Sequence, residues 1–361
     1  MPRVCQLLAR MLRENIDPLS KKIGILTGGG DCPGLNPAIR GAVLRGADFG
    51  FEFLGFQEGW RGLVEGNAVP LKTSDVFEIV GKGGTILGTS RTNPFKKDGA
   101  VQKCLDNFKK LNLDALIACG GEDTLGVASK LFKEHKVNVV GVPKTMDNDL
   151  SATDYTFGFD TATTIAVDAL ERLRDTGRSH RRIMVLEVMG RHAGWVALFT
   201  AIAGAADWVC LPEEPVDVKS MCSHLKKVHA ERKVALVVAS EAVTIPGENT
   251  GKEELDDFGH MLLKKRGVAD QLAQLIEKET GTETRSAVIG HIQRGGGPTL
   301  FDRILGTRVG VKAAELVQEG KFGQMVALKG NDVVGVSLEE ATAQLKIVTP
   351  DWLKLAKVFF K

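Results

Sequence analysis

The sequence predicts an α/β protein of two lobes, each built on a parallel-type sheet flanked by helices. Short runs rich in Val, Ile and Leu alternate along the chain with longer helical patterns, as in repeated βαβ units whose strands are buried on both faces. A chain of 361 residues that is 43% hydrophobic and 25% charged is large enough for two lobes with separate cores. Ligands in such folds bind at the carboxyl ends of the strands.

Six apolar segments are the strand candidates, and each runs into a Gly-rich or charged turn. In chain order they are KIGILTG (22–28), DALIACGG (114–121), VNVVGVP (137–143), RRIMVLEVMG (181–190), KVALVVASE (233–241) and RSAVIGH (285–291). The side chains of these turns are therefore expected at the sheet edges where the carboxyl ends of parallel strands meet.

Net charge and cysteine usage limit the classes of binding partner and the cellular compartment that we expect. With 47 basic and 45 acidic residues the formal charge is only +2, which predicts no general attraction to nucleic acid or to a membrane surface. The six cysteines are scattered without a CxxC pair, which indicates reduced thiols and a cytoplasmic protein. Charged residues interrupt the apolar pattern of residues 1–20, so this N-terminal extension predicts an amphipathic helix rather than a signal peptide or a membrane span.

Two Gly-rich turns are candidates for a phosphate site. In LTGGGDCPGLNPAIRG (26–41), glycines after a strand let backbone N–H groups approach an anion, although such turns are as often structural. In CGGEDT (119–124), Glu122 and Asp123 follow a strand and open a helix. This turn resembles the GGDGT-type turn of several kinase families, in which an acid helps to hold magnesium beside the donor phosphates. Capping of the helix N-terminus by Asp123 is the alternative.

The segment TMDND (145–149) places Asp147 and Asp149 two residues apart, so that both project to one side of an extended chain. Paired carboxylates beside a magnesium phosphate can divide their roles, since one takes the proton of an attacking hydroxyl and the other stays a hydrogen-bonding partner. An Asx-rich surface turn is the alternative. The motif VMGRHAG (188–194) weakens that alternative, because Arg191 follows a buried strand and can stabilise charge on a transferring phosphoryl group.

Basic side chains at the ends of strand candidates suit a phosphate monoester. They are Arg182, Arg285, His291 and Arg294. Guanidinium groups bind oxyanions bidentately without needing to titrate, so convergence of these four residues would form a sugar-phosphate pocket. Glu241, at the end of KVALVVASE, adds an acceptor for sugar hydroxyls.

Seven motifs occur in the order found in the phosphofructokinase family, which the chain resembles from about Lys21 almost to its C-terminus. They are GGGDCPGLN, GGTILGTSR, GGEDT, PKTMDND, TDYTFGFDTA, VMGRHAGW and GHIQRGGGP. The resemblance implies two α/β lobes with the active site between them. It implies a phosphoryl-donor lobe of residues 21–158 with 293–345, and a fructose 6-phosphate lobe of residues 159–292 with 346–361.

The resemblance also implies a role for each matched position. Asp147 is expected to take the proton from the sugar 1-hydroxyl, with Thr145 and Asp149 beside it. Arg191 is expected to stabilise the transition state. The expected ligands of fructose 6-phosphate are Met189, Gly190, Glu241, His291 and Arg294 from one subunit, and Arg182 and Arg285 from its neighbour in a homodimer or homotetramer. The expected donor-phosphate contacts are Gly29 and Arg91, and the expected Mg²⁺ ligand is Glu122.

Two positions resemble the pyrophosphate-dependent branch of the family, because Asp123 and Lys144 stand where the bacterial ATP-dependent pattern has glycine. Lysine can occupy the space of an α-phosphate and offset charge on the leaving phosphate, while Asp123 can repel a nucleotide. The expected reaction is reversible phosphoryl transfer from pyrophosphate to the 1-hydroxyl of fructose 6-phosphate. An ATP-dependent 6-phosphofructokinase is the alternative. A non-catalytic sugar-phosphate-binding homologue is a distant third, because Asp147, Glu122 and Arg191 are all present.

Overall fold

A computed structural model describes residues 20–246 and 267–360, which form two compact units. The first unit contains residues 20–30, 34–143 and 303–339, and the second contains residues 31–33, the described part of 144–302, and 340–360. Residues 31–33, 144–158, 293–302 and 340–345 thus belong to the second unit, whereas the sequence analysis assigned them to the phosphoryl-donor lobe. Residues 1–19 of the N-terminal extension, where an amphipathic helix was predicted, lie outside the described residues.

The first unit is built on a seven-stranded sheet with the order β11-β10-β5-β4-β1-β2-β3. Its strands are β1 (Lys22–Thr27), β2 (Glu52–Phe56), β3 (Ala68–Leu71), β4 (Ala115–Gly120), β5 (Val139–Pro143), β10 (Gln324–Lys329) and β11 (Asp332–Ser337). The five inner strands are parallel, and an antiparallel strand closes each edge. The carboxyl ends of β1, β4 and β5 therefore lie at one edge of this sheet.

The second unit is built on a four-stranded parallel sheet with the order β7-β8-β6-β9. Its strands are β6 (Ile183–Val188), β7 (Trp208–Cys210), β8 (Ala235–Ser240) and β9 (Thr284–Val288). Alternate residues of β6 face opposite sides: Met184 and Leu186 belong to one buried hydrophobic cluster, and Ile183 and Val185 belong to another. The sheet is therefore covered on both faces, as the apolar runs predict.

Helices separate most of the strands. They are α1 (Leu35–Asp48), α2 (Trp60–Glu65), α3 (Thr73–Val76), α4 (Ala100–Lys110), α5 (Glu122–His135), α6 (Phe159–His180), α7 (Trp195–Ala203), α8 (Val218–Arg232), α9 (Val268–Thr280), α10 (Leu300–Gln318), α11 (Leu338–Thr342) and α12 (Pro350–Phe359). All six strand candidates form strands, and the predicted α/β class is confirmed. Within the described ranges, the search for a helix long and apolar enough to span a membrane finds none.

Candidate active site

The loop after β5 carries a buried positive charge. Lys144 follows Pro143 directly and is only 4% exposed, and its backbone forms a β-bridge with Phe157. Burial lowers the pKa of the Lys144 ammonium, and Arg294 lowers it further, while the nearby acids Asp31 and Asp147 oppose that shift. A buried ammonium near these acids can also bind an anion.

The following residues form a tight polar turn. Thr145 donates its Oγ1 hydrogen to Asp149 Oδ1 at 2.9 Å, and the same oxygen accepts from the Asp147 backbone N–H at 3.1 Å. Asn148, between the two acids, has a left-handed backbone with φ 53°. The segment is therefore not extended at Asn148, and the prediction that both carboxylates project to one side of an extended chain is wrong in its geometry.

One carboxylate oxygen of this turn has no hydrogen-bond partner among the described residues. Asp147 Oδ1 is buried and makes no hydrogen bond, whereas Asp149 Oδ1 is held by Thr145. An unpaired buried acceptor costs about 1–3 kcal/mol, so such atoms are rare unless a ligand satisfies them. Asp147 is thus the carboxylate that can accept a hydrogen bond, or a proton, from an incoming hydroxyl.

The ends of β6 and β8 form a second loop cluster in the same unit. Gly190 has φ 144° and donates its N–H to Glu241 Oε1 at 3.4 Å, while Ser240 Oγ donates to the Gly190 carbonyl at 2.6 Å. The adjacent Met189 N–H donates to Gln293 Oε1 at 2.8 Å. These bonds fix the backbone that presents Arg191.

Glu241 is a carboxyl group with a strongly perturbed environment. Burial raises its pKa to about 7, and repulsion from Asp147 contributes, while the Gly190 N–H and Arg191 oppose the shift. Perturbed acids of this kind concentrate at functional sites, where a ligand can satisfy them.

The turn after β9 brings further residues to the same sheet edge. His291 and Arg294 lie in a 3-10 turn, Gly290–Arg294, and Arg294 Nη1 donates to the Asp31 carbonyl at 3.0 Å. Electrostatic interactions link Arg294 and Asp147 to Lys144, and Asp147 to Glu241. The structure therefore brings together, in one unit, most of the predicted sugar-phosphate and catalytic residues: Lys144, Thr145, Asp147, Asp149, Met189, Gly190, Arg191, Glu241, His291 and Arg294.

Arg182 and Arg285 do not join this group within one chain. Arg182 precedes β6 and Arg285 is the second residue of β9, so both lie at the amino ends of their strands. Glu283 binds both, with distances of 2.8 Å to Arg182 and 2.5 Å to Arg285. A strand rise of about 3.3 Å per residue separates Arg182 from the end of β6 by roughly 20 Å.

The first unit carries the remaining predicted residues at the carboxyl edge of its own sheet. The Gly28 N–H donates to the Cys119 carbonyl at 2.9 Å, and the Gly29 N–H donates to the Ser90 carbonyl at 3.1 Å. These two amides therefore hold the turn together, which favours the structural alternative for this Gly-rich turn. Arg91 follows Ser90 directly and shares this edge.

Glu122 and Asp123 occupy the first turn of α5, directly after β4. Gly121 is the N-cap and no side chain caps this helix end, so the alternative role of Asp123 as the N-cap is wrong. No cluster of three or more His, Cys, Asp or Glu that could hold a metal is found in the part of the chain that the structure describes. Two carboxylates still fit Mg²⁺, which commonly takes one or two protein carboxylates and completes its shell with substrate phosphates and water.

Sequence reasoning missed residues that position this site without contributing to its predicted chemistry. Gln293 is fully buried, accepts from Met189 and donates to the Ala162 carbonyl at 3.1 Å. Its place inside GHIQRGGGP was the only signal available. Lys346 and Glu213, described below, carried no signal because their partners are distant in sequence.

With this geometry in hand, comparison with known proteins assigns the family. Residues 22–317 match the family described as Phosphofructokinase. The chain belongs to the phosphofructokinase family.

Relatives and a solved structure refine that assignment. Pyrophosphate--fructose 6-phosphate 1-phosphotransferase of Dictyoglomus thermophilum is 52% identical over 94% of this chain and 98% of its own length. ATP-dependent 6-phosphofructokinase of Mycobacterium leprae is 46% identical over 94% of this chain and 99% of its own length. The crystal structure of pyrophosphate-dependent phosphofructokinase from Marinobacter aquaeolei, 21% identical, superposes with a TM-score of 0.79 over 94% of this chain and 91% of that chain. This last similarity establishes the fold alone.

The raised pKa of Glu241 predicts a pH-dependent cost in stability. Because the folded-state pKa of about 7 exceeds the ordinary value of 4.5, the favourable contribution is fully present below pH 4.5 and is lost as the pH rises through 7. Glu241→Gln mimics the protonated carboxyl, so the unfolding free energy of this variant should exceed that of the wild type by an amount that grows by about 2–3 kcal/mol between pH 5 and pH 8. Denaturant titrations at both pH values measure this gap, and a gap independent of pH would contradict the assignment.

Proposed function

We propose that this protein transfers a phosphoryl group from pyrophosphate to the 1-hydroxyl of fructose 6-phosphate. The products are fructose 1,6-bisphosphate and orthophosphate, and the reaction is reversible because the cleaved bond is a phosphoanhydride that yields only orthophosphate. Family membership and the names of relatives that are 52% identical support the reaction class. The protein is an enzyme of the glycolytic or gluconeogenic type.

The single observation that carries the choice of donor is the buried Lys144. Lys144 is 4% exposed and lies in the same loop as the unpaired Asp147 carboxylate oxygen. Charge builds on the leaving phosphate during transfer, and a fixed, desolvated ammonium stabilises that charge more strongly than one in water. Burial lowers the pKa of Lys144, and an anionic donor that approaches it favours the charged form.

Asp147 acts as the general base. Its buried Oδ1 accepts the hydrogen bond of the 1-hydroxyl and then its proton, while the hydroxyl oxygen attacks the phosphoryl group. Arg191 lies on a backbone that Ser240 and Glu241 hold in place, which suits it to stabilise charge on the transferring group. Phosphoryl transfer depends chiefly on such positioning and charge stabilisation.

The sugar phosphate binds to the residues at the carboxyl ends of β6, β8 and β9 and to the turn after β5. These residues are Thr145, Asp149, Met189, Gly190, Glu241, His291 and Arg294. Arg294 can bind a phosphate oxygen with the guanidinium nitrogens that it does not use for Asp31. Glu241 accepts from a sugar hydroxyl, which satisfies a carboxyl group whose burial otherwise raises its pKa.

Donor phosphates bind to the first unit. Gly29 and Arg91 contact them, and Glu122 holds Mg²⁺, which neutralises phosphate charge when bound. Since the Gly29 amide donates to Ser90, Gly29 contributes through the close approach that a residue without a side chain allows. Asp123, next to Glu122, repels the α-phosphate of a nucleotide.

ATP-dependent phosphoryl transfer is the second candidate. The specific observation in its favour is that ATP-dependent 6-phosphofructokinases are up to 46% identical to this chain over nearly their whole length. The pyrophosphate-dependent relatives are 49–52% identical, only slightly more than the ATP-dependent ones. Overall identity therefore does not separate the two donors, and we base the choice of donor on the residues at positions 123 and 144.

A comparison of donors tests the proposed function. Purified protein with fructose 6-phosphate and Mg²⁺ should form fructose 1,6-bisphosphate rapidly with pyrophosphate and at least about 100-fold more slowly with ATP. The reason is that the Asp123 carboxylate and the α-phosphate of ATP are both negative, and placing like charges together costs several kcal/mol. Rapid turnover with ATP and none with pyrophosphate would overturn the choice of donor.

Asp147→Asn is the matched control in this assay, because it removes the base and keeps the size of the side chain. General-base catalysis contributes about 10²–10⁴-fold, so kcat should fall by that factor while binding of fructose 6-phosphate persists. Turnover at the wild-type rate would refute the role of Asp147.

Arg182 and Arg285 complete the sugar-phosphate site of a neighbouring subunit in a homodimer or homotetramer. Their position at the amino ends of their strands, away from the other ligands in this chain, supports this arrangement. The neighbouring edge strand β9 and its following turn expose Val288 (54%) and Ile292 (69%), apolar side chains that a subunit interface would cover. The five described cysteines are buried thiols that form no disulfide with one another, which supports a reducing, cytoplasmic location.

Subunit mixing tests the shared site. Arg182→Ala and His291→Ala proteins should each be nearly inactive, and subunit exchange between them should restore part of the activity, because a hybrid interface pairs an intact Arg182 with an intact His291. If activity stays absent after mass spectrometry has shown that exchange took place, each chain binds its sugar phosphate alone.

A further inference from the structure

A short segment near the C-terminus runs along the loop that carries Asp147. Residues 344–348, here called the strap, lie antiparallel to residues 149–151. Leu150 and Leu345 form an antiparallel bridge, and Ser151 Oγ donates to the Gln344 carbonyl at 2.5 Å. The Lys346 N–H donates to the Asp149 carbonyl at 2.7 Å. The strap is therefore bonded to the main chain of the loop.

The side chain of Lys346 makes three further bonds to the same region. Its Nζ donates to Asn148 Oδ1 at 3.0 Å, to the Thr153 carbonyl at 3.0 Å and to the Asp154 carbonyl at 2.9 Å. An ammonium group has three donors, and these oxygens match that number. None of these three acceptors is a carboxylate, so these bonds hold backbone and amide groups in place.

The residue held by Lys346 is the one that sets the turn. Asn148 stands between Asp147 and Asp149 and has φ 53°, a left-handed conformation that costs free energy unless its surroundings stabilise it. Asn148 Oδ1 also accepts from the Thr156 N–H at 3.1 Å. Two residues, Lys346 and Thr156, thus fix one amide oxygen, and with it the backbone that positions both carboxylates.

The strap also reaches the second loop of the site. The Lys346 carbonyl accepts from Trp195 Nε1 at 2.8 Å, and Glu213 Oε1 accepts from both the Val348 N–H (3.0 Å) and the Gly194 N–H (2.9 Å). Gly194 and Trp195 open α7, three residues after Arg191. The strap is therefore bonded to both the loop that carries Asp147 and the loop that carries Arg191.

We propose that Lys346 is a positioning residue for phosphoryl transfer, which holds the Asp147–Asn148–Asp149 turn in its working conformation and in register with the loop of Arg191. This inference rests on the proposed function. Lys346 has no part in binding or proton transfer; it acts through Asn148. Misplacement of a reacting group by about 1 Å can cost around 100-fold in rate, so loss of this support should be visible mainly in kcat.

Lys346→Met tests the proposal, with Lys357→Met as the matched control. Methionine keeps an unbranched stem and removes the three donors. Lys357 lies in α12 of the same C-terminal region, is 67% exposed and pairs only at the surface with Glu214 at 3.2 Å. With pyrophosphate and fructose 6-phosphate, kcat of Lys346→Met should fall about 10–100-fold while KM for the sugar changes less than about threefold. Lys357→Met should match the wild type in both constants.

Hydrogen–deuterium exchange gives a readout that does not need turnover. The Thr156 and Asp147 amides are protected by bonds within the turn, so peptides covering residues 145–156 should exchange faster in Lys346→Met and not in Lys357→Met. If the wild-type protein does not turn over pyrophosphate and fructose 6-phosphate, the proposed function is refuted. The exchange difference between Lys346→Met and the wild type can still be observed in that case, so it tests the positioning role separately. Wild-type kcat together with unchanged exchange in Lys346→Met overturns the positioning role.

Asn148→Gly keeps the inference testable if Lys346→Met does not fold. Glycine tolerates the positive φ and removes the oxygen that Lys346 binds. The variant should lose kcat by a similar factor, and the double variant should lose much less than the product of the two single effects, because both changes break one bond. Effects that multiply independently would contradict the role of this bond.

Discussion

The site depends on the conformation of a single residue, Asn148. Its left-handed backbone turns the chain between Asp147 and Asp149, so that the Thr145 hydroxyl can bind one acid while an oxygen of the other stays unpaired. Such a conformation persists only where surrounding bonds determine it, and here Thr156 and the strap supply them. The placement of both carboxylates therefore rests on hydrogen bonds from Thr156 and the strap to Asn148.

Three side chains around this turn hold a buried charge or an unsatisfied oxygen. Lys144 is buried and its pKa is lowered, Glu241 is buried and its pKa is raised to about 7, and an Asp147 oxygen has no partner among the described residues. Each feature costs stability in the free protein and is relieved by a complementary ligand group: an anion, a hydroxyl or a proton donor. Stability and function are opposed at these three side chains, as is common at active sites.

The sequence was sufficient for features that depend on local pattern and insufficient for those that depend on topology. Continuous apolar runs predicted six of the eleven strands in the described residues, most of the six buried on both faces, whereas β2, β3, β7, β10 and β11 were missed. Three of the missed strands, β3, β7 and β11, lie at the edges of their sheets, where a strand need not be apolar on both faces. The motif residues at the carboxyl ends of β6, β8 and β9 were found. Lys346 could not be found, because nothing local shows that residues 344–348 return to the loop almost 200 positions earlier. The use of the Gly28 and Gly29 amides within the protein was equally invisible.

The central claim is that Lys144, with Asp123, makes this enzyme specific for pyrophosphate. The direct measurement is kcat/KM for pyrophosphate and for ATP in the wild type, Lys144→Gly, Asp123→Gly and the double variant, each with saturating fructose 6-phosphate and Mg²⁺. The prediction is that Lys144→Gly loses pyrophosphate activity by at least about 100-fold, because a charge-stabilising group is removed, and that ATP activity emerges only in the double variant. Unchanged pyrophosphate activity in Lys144→Gly would contradict the claim.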